Sequence, residues 1–517
     1  MNTGRERWVV PVSWIPGGVA MVMALCAGLA SAEDWTPARI ASRALWLDAS
    51  DTNALSTATP GMAVGRWVDK SGFGRDATNN VFGNQPAYGA LENLCPYSEQ
   101  LDSWYQNRAT VSTNATAAPD GATTADKFVE NTDTGAHQVS AQGGSSTAAA
   151  TSSTWTASAF LKAAEVNEAW VSLQQLGWPG DTPYYGMQAV LVSLTNGALT
   201  PSNFPANSRQ MTFVGASSTN LGGGWYRVTC SATTSASTDV QRVRVAIGTS
   251  SNGLLSYTGR SGQGIYVWGA QLNRGAAAKA YVATAGAAVD GTTAFNGKPA
   301  LRFNGNQKLV VPNSKGTFKF LHNGQGAVFV VGQACFATND PNAYALLGNA
   351  GPGQTSRSGF SLWYQNRQAA QGETNKFVVG VTGSNTAVGA VNAQSLFTPN
   401  TQMLIAATVD MTNAAIGHRV IGYVNGTLAG TNMISGTAAA NDASYDLEIG
   451  GYAAPGFYLV GAIGEVIIAS SVLSTDDRQK MEGYLAHKWG LAGQLPSNHP
   501  YKSRPPTISE GVVYTMR

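Results

Sequence analysis

Cleavage of a glycosidic bond needs two carboxylates converging on one oxygen, about 5 Å apart in a retaining pair. On a strand, alternate residues face the same way, so a suitable acidic run would present them together. Asp446-Leu447-Glu448 is the only close acidic pair on an expected strand, and the third carboxylate of such a run is absent. Glu465 stands alone in Ile463-Gly464-Glu465-Val466. Both read as polar positions on a sheet face, and no enzyme is expected. His137, His322, His418, His487 and His499 are scattered, with no metal-binding spacing among them. There is no Gly-x-Ser-x-Gly elbow and no phosphate loop. Gly222-Gly223-Gly224 runs into Trp225 and reads as a turn entering a strand.

Recognition is the chemistry that the remaining residues could support. Aromatic rings offer a sugar apolar stacking area, while polar neighbours meet its hydroxyl groups. Gly177-Trp178-Pro179-Gly180-Asp181-Thr182-Pro183-Tyr184-Tyr185-Gly186 reads as a loop carrying rings and an acid. Trp178, Asp181, Tyr184 and Tyr185 are therefore the first candidate ligand-binding set. Trp363 and Tyr364 form a second set, and the stretch from Tyr452 to Tyr458 a weaker one. Simple packing of these rings within their own loops stays open as the alternative. Trp46, Trp67, Trp225, Trp268 and Trp489 lie in stretches that read as core. Asp48, Asp51, Asp69 and Asp76 gather near turns and are candidate Ca2+ ligands, since calcium takes several oxygens from carboxylates and carbonyls. Aspartate is also the residue that hydrogen-bonds turn backbone. That reading is preferred, and no other cofactor is expected.

The elements that must position these residues are strands. Charged residues make up only 12% of the 517, and glycine numbers 59. This composition suits short strands joined by many turns rather than long salt-bridged helices. An apolar fraction of 43% allows a sizeable core, and a net charge of +2 gives no basic field, so no nucleic-acid partner is expected. Short apolar runs recur at Gly326 to Gly332, Lys376 to Val381, Met403 to Val409 and Val420 to Val424, the last meeting the hairpin turn Asn425-Gly426. Such strands argue for a two-sheet sandwich. Near the end, Ser474 with Asp477 opens a helix whose Met481, Tyr484, Leu485 and Trp489 recur at helical spacing until Gly490 stops it.

Arg5 and Arg7, an apolar run from Gly17 to Leu29 and Ala30-Ser31-Ala32 read as an export signal over residues 1–32. An uncleaved N-terminal membrane anchor is the rival reading. Cys26 belongs to that leader. Cys95, Cys230 and Cys335 match no zinc pattern, and a Cys95–Cys230 bridge or three buried thiols are both open.

Two resemblances organise the chain. Leu45-Trp46-Leu47-Asp48-Ala49-Ser50-Asp51 with Trp67-Val68-Asp69-Lys70-Ser71-Gly72 resembles the opening of laminin-G-like jelly-roll domains of the concanavalin A type. The expected continuation appears only at Asn296-Gly297-Lys298-Pro299-Ala300-Leu301-Arg302-Phe303, and the close at Ile463 to Ile468, Arg478 to Leu491 and Leu495 to Tyr501. Between them, Asn93-Leu94-Cys95-Pro96-Tyr97-Ser98-Glu99 with Trp104, Ala118-Pro119-Asp120-Gly121, Trp225-Tyr226-Arg227-Val228 and Gly264 to Leu272 resemble a carbohydrate-binding-module-like β-sandwich common in phage tail and prophage proteins. The break lies after Gln85-Pro86-Ala87-Tyr88-Gly89, and the interruption of about 190 residues is a domain's worth.

The expectation is an all-β protein of two jelly-roll-type sandwiches, the second inserted into the first, with a short C-terminal helix. The first sandwich would occupy residues 39–90 and 286–503, the inserted one 91–285, and a tail 504–517. Its function would be non-catalytic binding of a glycan or cell-surface polysaccharide, by a secreted protein or on a phage virion surface. A structural assembly protein, self-associating or built into a virion, is the alternative. A polysaccharide-cleaving glycosidase ranks last.

Overall fold

The computed structural model describes residues 33–508 apart from 59–60, 82–83, 90, 142–146, 178–183, 204–210, 237–239, 292–294, 296–297, 336–342, 351–357, 366–375, 383–395, 397, 433–437, 439 and 452–456. The expected leader and the last residues of the expected tail lie outside them. Glu33–Asp34 and Thr507–Ile508 pair as a short antiparallel ribbon, and Trp35–Pro506 forms a compact unit of its own.

Within Trp35–Pro506 the paired strands are antiparallel, and successive side chains point to opposite faces of each sheet, one of them lining a core. The first sandwich is organised on the strand Val460–Ala469. Along one edge it pairs with Gln325–Ala334. Along the other it pairs with two strands far apart in sequence, Arg43–Asp48 and Leu301–Asn304. Leu301–Asn304 in turn pairs with Ala87–Tyr88, bringing Tyr88 opposite Leu301. The facing sheet runs from Lys376–Thr382 through Gly359–Gln365, Ala343–Gly348, Leu447–Ile449 and Leu309–Val311 to Ala77–Thr78 and Arg66–Trp67. Leu45, Leu47, Trp67, Phe303, Val330, Phe360, Ile405, Ile449 and Ile468 meet in its core. Each large aliphatic or aromatic side chain so buried contributes about 1.5–3 kcal/mol. The Asn425-Gly426 turn joins Val420–Val424 to Thr427–Asn432 with positive φ at both residues (49° and 76°), which this pair tolerates and most others do not.

The second sandwich is built wholly from strands between Tyr105 and Arg274. One sheet is ordered Leu199–Asn203, Tyr184–Ser193, Glu168–Gly177, Val240–Thr249, Gln138–Ser140, Tyr105–Asn107, with a seventh strand, Thr147–Ala148, also paired to Val240–Thr249. The other is ordered Thr212–Gly222, Trp225–Thr233, Thr154–Ala163, Gly264–Arg274, Ala125–Glu130, Ala109–Thr116. Phe128, Leu161, Val171, Leu173, Val190, Val228, Val245, Ile247, Val267 and Leu272 form a core separate from the first. Cys95 and Cys230 are buried in it as free thiols, and Cys335 is also free. Burial pushes the Cys230 thiol up to about 12, so it stays protonated.

The chain enters and leaves this sandwich side by side. Leu91–Asn93 pairs antiparallel with Val289–Gly291, and Glu92 is held by Arg274 at 3.0 Å and Lys279 at 2.9 Å. Entry and exit thus form a paired ribbon. Charge pairing at Glu92 and ladder hydrogen bonds outweigh the flexibility of the flanking alanines and glycines.

The C-terminal helix spans Thr475–Lys488, with Ser474 Oγ accepting the Asp477 N–H at 3.1 Å. Met481, Leu485 and Trp489 are buried. The indole of Trp489 covers Gly464, where an added Cβ would lie 2.8 Å from the ring. Glu482, fully buried, is held by Arg478 and by His499 Nε2 at 3.2 Å. Among the described residues no helix is long and apolar enough to cross a membrane.

Candidate functional site

Each sheet of the second sandwich has an outer face, and the two are used differently. On the six-stranded sheet, polar side chains receive the returning chain. Gln271 Nε2 donates to the carbonyl of Ala280 at 3.0 Å, and its Oε1 accepts from Val282 N at 2.9 Å. Arg227 donates to the carbonyl of Lys279 at 2.6 Å, and Asn273 Nδ2 to that of Glu92. Beside them Phe160, Trp268 and Tyr281 pack with centroids 4.6–5.5 Å apart. The conspicuous motif from Gly264 to Leu272 therefore docks the connector.

The outer face of the seven-stranded sheet carries a buried apolar cluster of Trp170, Met187, Ala189, Leu191 and Ala246 beside a row of polar side chains. Register places Gln174 opposite Arg244, Ser140 opposite Ala246 and Tyr105, and Gln138 opposite Gly248 and Asn107. Their strand neighbours Leu173, Val245, Ile247 and Val139 point the other way, into the core. Arg244 Nε donates to Gln174 Oε1 at 2.8 Å, and Gln174 Nε2 donates to Gln138 Oε1 at 3.4 Å. Ser140 Oγ is buried without a hydrogen-bond partner among the described residues, and a buried hydroxyl left unmatched costs about 1–3 kcal/mol. Tyr105, at the sheet edge, is 47% exposed. Trp170 lies across Gly248, where a Cβ would clash with its ring, and its Nε1 donates to the carbonyl of Thr249 at 2.9 Å. Gln174, Arg244 and Ser140 are buried, so Gln138 and Tyr105 are the members of this row that a polar ligand could reach. The signal in the sequence is the alternation itself, Trp170-Val171-Ser172-Leu173-Gln174 and Val243-Arg244-Val245, whose polar members look unremarkable until register aligns them.

Two members of the first candidate ligand set lie on a strand of this sheet. Tyr184 opens the strand Tyr184–Ser193 and pairs with Leu176, and Tyr185 follows it within the same strand. Both backbones are thus in the sheet, where a loop was expected. Trp178 and Asp181 lie outside the described residues. In the first sandwich the second set divides. Trp363 is half-buried on the outer face of its sheet, covering Gly380, where a Cβ would lie 2.8 Å from the indole. Tyr364 points the opposite way and is fully buried in the core, so it offers no face to a ligand. Adjacent strand residues face opposite sides, which is why both could not join one site. Trp46, Trp67, Trp225, Trp268 and Trp489 are all buried.

The oxygens of the four aspartates are engaged by groups of the protein itself. Asp69 accepts N–H groups from Trp46, Ser71 and Arg75 at 2.8–3.0 Å. Asp76 binds Arg66 at 2.6 Å and the N–H of Asp69 at 2.8 Å. Lys70 joins Asp48 at 2.9 Å and Asp51 at 2.8 Å. Cations and backbone donors already occupy these oxygens, and no group of three or more His, Cys, Asp or Glu able to hold a metal occurs among the described residues.

Glu465, expected to stand alone, faces Asp48 across paired strands. Lys488 reaches both, at 2.7 Å and 2.8 Å, and the indoles of Trp46 and Trp489 each donate to Glu465 at 2.7 Å. Burial pushes the Glu465 carboxyl up, against the pull of Lys488. Burial works the same way on Asp48, but Lys488, Ser50 and Lys70 together hold its carboxyl below the usual value. Two carboxylates on one sheet are the raw material of a glycosidase. Here a lysine bridges them beneath the C-terminal helix. Asp446 caps a turn instead, accepting from Ser314 N at 2.7 Å, and Glu448 pairs with Lys308 at 2.7 Å.

No family model matches the chain, and no curated protein matches it. Among solved structures, part of the chain is similar to the CBM40 of Ruminococcus gnavus IT-sialidase, with 15% identity over 34% of this chain and 92% of that one and a TM-score of 0.27. NanB sialidase from Streptococcus pneumoniae is similar at 14% identity over 35% of this chain and 26% of its own, with a TM-score of 0.22. The receptor-binding domain of botulinum neurotoxin C/D mosaic serotype is similar at 14% identity, over 33% of this chain and 38% of that one, with a TM-score of 0.21. This chain covers about a quarter of the NanB sialidase. The likeness to lectin-like β-sandwiches is distant and says nothing of ligand or activity.

Proposed function

We propose that the protein is a non-catalytic glycan-binding protein that works outside the cell or on a virion surface. The observation that carries this reading is the edge of the seven-stranded sheet, where the exposed ring of Tyr105 lies near the half-buried amide of Gln138, itself backed by the buried Gln174 and Arg244. Sugars are recognised by amide and guanidinium donors to hydroxyl groups together with an aromatic face for the ring. The resemblance of the outer sandwich to laminin-G-like domains, and of the inserted one to a phage-type carbohydrate-binding module, supports the same reading. The signal-like leader supports export.

The test is a glycan array probed with the full chain, followed by titration of any hit. Tyr105→Ala and Gln138→Ala change side chains at the open edge of the row and are expected to weaken binding about tenfold each. Binding indifferent to both changes, or absent for every glycan, would remove this reading. Release of a shortened glycan during the titration would contradict its non-catalytic part.

A further inference from the structure

The same outer face has a second feature about 20 Å from Gln174, six residues back along the strand, at Glu168. A cleft of about 300 Å³ opens there between the Tyr184–Ser193 and Leu199–Asn203 hairpin and the turn from Ser250 to Gly253. Glu168, Leu191, Ser193, Thr200, Pro201 and Ser250 are among its lining residues. Glu168 is half-buried. Its Oε2 is held only by long bonds, from Gly253 N at 3.3 Å and Ser250 Oγ at 3.5 Å. Its Oε1 has no partner among the described residues, and no lysine or arginine there pairs with it.

We propose that this cleft seats one sugar ring, with two neighbouring hydroxyl groups donating to the Glu168 carboxylate. The inference rests on the glycan-binding reading and gives it a definite subsite. A fixed carboxylate with unused acceptor capacity suits a vicinal diol, because two O–H donors can engage its two oxygens at once and hydrogen bonds to a charged group are the stronger kind. Leu191 and Pro201 supply apolar surface for the C–H face of the ring, and the hydroxyls of Ser193, Thr200 and Ser250 can donate or accept. A small mixed cavity with a few placed polar groups is the usual form of a small-ligand site. No aromatic residue lines it among the described residues, so selectivity there would come from hydroxyl stereochemistry rather than stacking.

The experiment titrates the full chain with the best array glycan and with methyl glycosides of its component sugars. Glu168→Gln keeps shape and removes charge. Ala198→Trp fills the cleft from the exposed side of the hairpin without touching Glu168. The expected result is a 10- to 100-fold loss of affinity in Glu168→Gln, loss of binding in Ala198→Trp, and unchanged melting temperatures. If both variants bind like the unaltered chain while Gln138→Ala still weakens binding, the cleft is not a subsite and the broader reading survives. If the unaltered chain binds no glycan, both fall. Should Glu168→Gln not fold, Ala198→Trp decides alone.

Discussion

Lys488 illustrates how little a residue's own sequence context says about its role. It lies in the last turn of the C-terminal helix, where a basic residue suits the helix dipole, yet its ammonium is also the bridge between Asp48 and Glu465. The two carboxylates respond to acid with opposite sign. Asp48, held below its usual value, stabilises the fold fully above the unfolded carboxylate pKa of about 4 and loses that contribution as pH falls through its lowered folded value. Glu465, pushed up by burial, takes its proton more readily in the folded state, so acid favours rather than weakens its folded form. Asp48→Asn is therefore expected to lower stability by about 1–3 kcal/mol at neutral pH. In urea unfolding, its deficit against the unaltered chain should shrink as the pH is lowered. A deficit that stayed constant into strong acid would show that the carboxylate charge is not what matters there. The sequence identified Asp48 as a turn residue and Glu465 as solitary. Nothing in either neighbourhood revealed that strand register sets them face to face.

Strands and turns were the most legible elements. The Asn425-Gly426 hairpin, the terminal helix with its Ser474 cap and the apolar runs of the first sandwich all fall where local pattern put them. The connectors were less legible, because small residues permit both flexibility and close pairing. Gly269 shows where a local choice serves long-range packing. It sits within Gly264–Arg274 with φ of +62°, beside the register shift at Ser158 and Phe160, and an added Cβ would lie 2.7 Å from the Phe160 ring. Gly269→Ala should cost about 2–4 kcal/mol, from backbone strain and crowding of the Phe160–Trp268–Tyr281 cluster. Gly493→Ala, where the Cβ meets nothing within 4 Å, should stay within about 0.5 kcal/mol of the unaltered chain. Thermal unfolding of the pair checks the claim, and equal melting points would refute it.

For the whole molecule, the nested arrangement makes a demanding statement about independence. The two sandwiches have separate cores, and Gly89 N donates to the carbonyl of Ala300 at 2.8 Å, so the cut ends of the first sandwich lie together. A chain with residues 91–291 replaced by a short Gly-Ser bridge is expected to keep a cooperative unfolding transition and a folded far-UV spectrum. A molten or aggregated product would mean that the first core needs the second. Because the first sandwich otherwise closes its sheet across a long sequence gap, the shortened chain should also refold faster than the full one.

Composition, alternation and turn chemistry were enough to determine that this protein is built of β-sandwiches with one terminal helix, since those signals act over a few residues and survive in a bare string of letters. The resemblance of the outer stretches to laminin-G-like motifs implied a break near Tyr88, because motifs that belong together stood apart. What only the tertiary structure decided is which polar side chains meet. Gln138, Gln174 and Arg244 come from three strands and align through register, Tyr364 turns away from Trp363 because neighbours on a strand face opposite sides, and Asp48 is paired with Lys70 and Lys488. Contacts between distant strands depend on pairing and pleat, and neither is written in the spacing of residues along one strand.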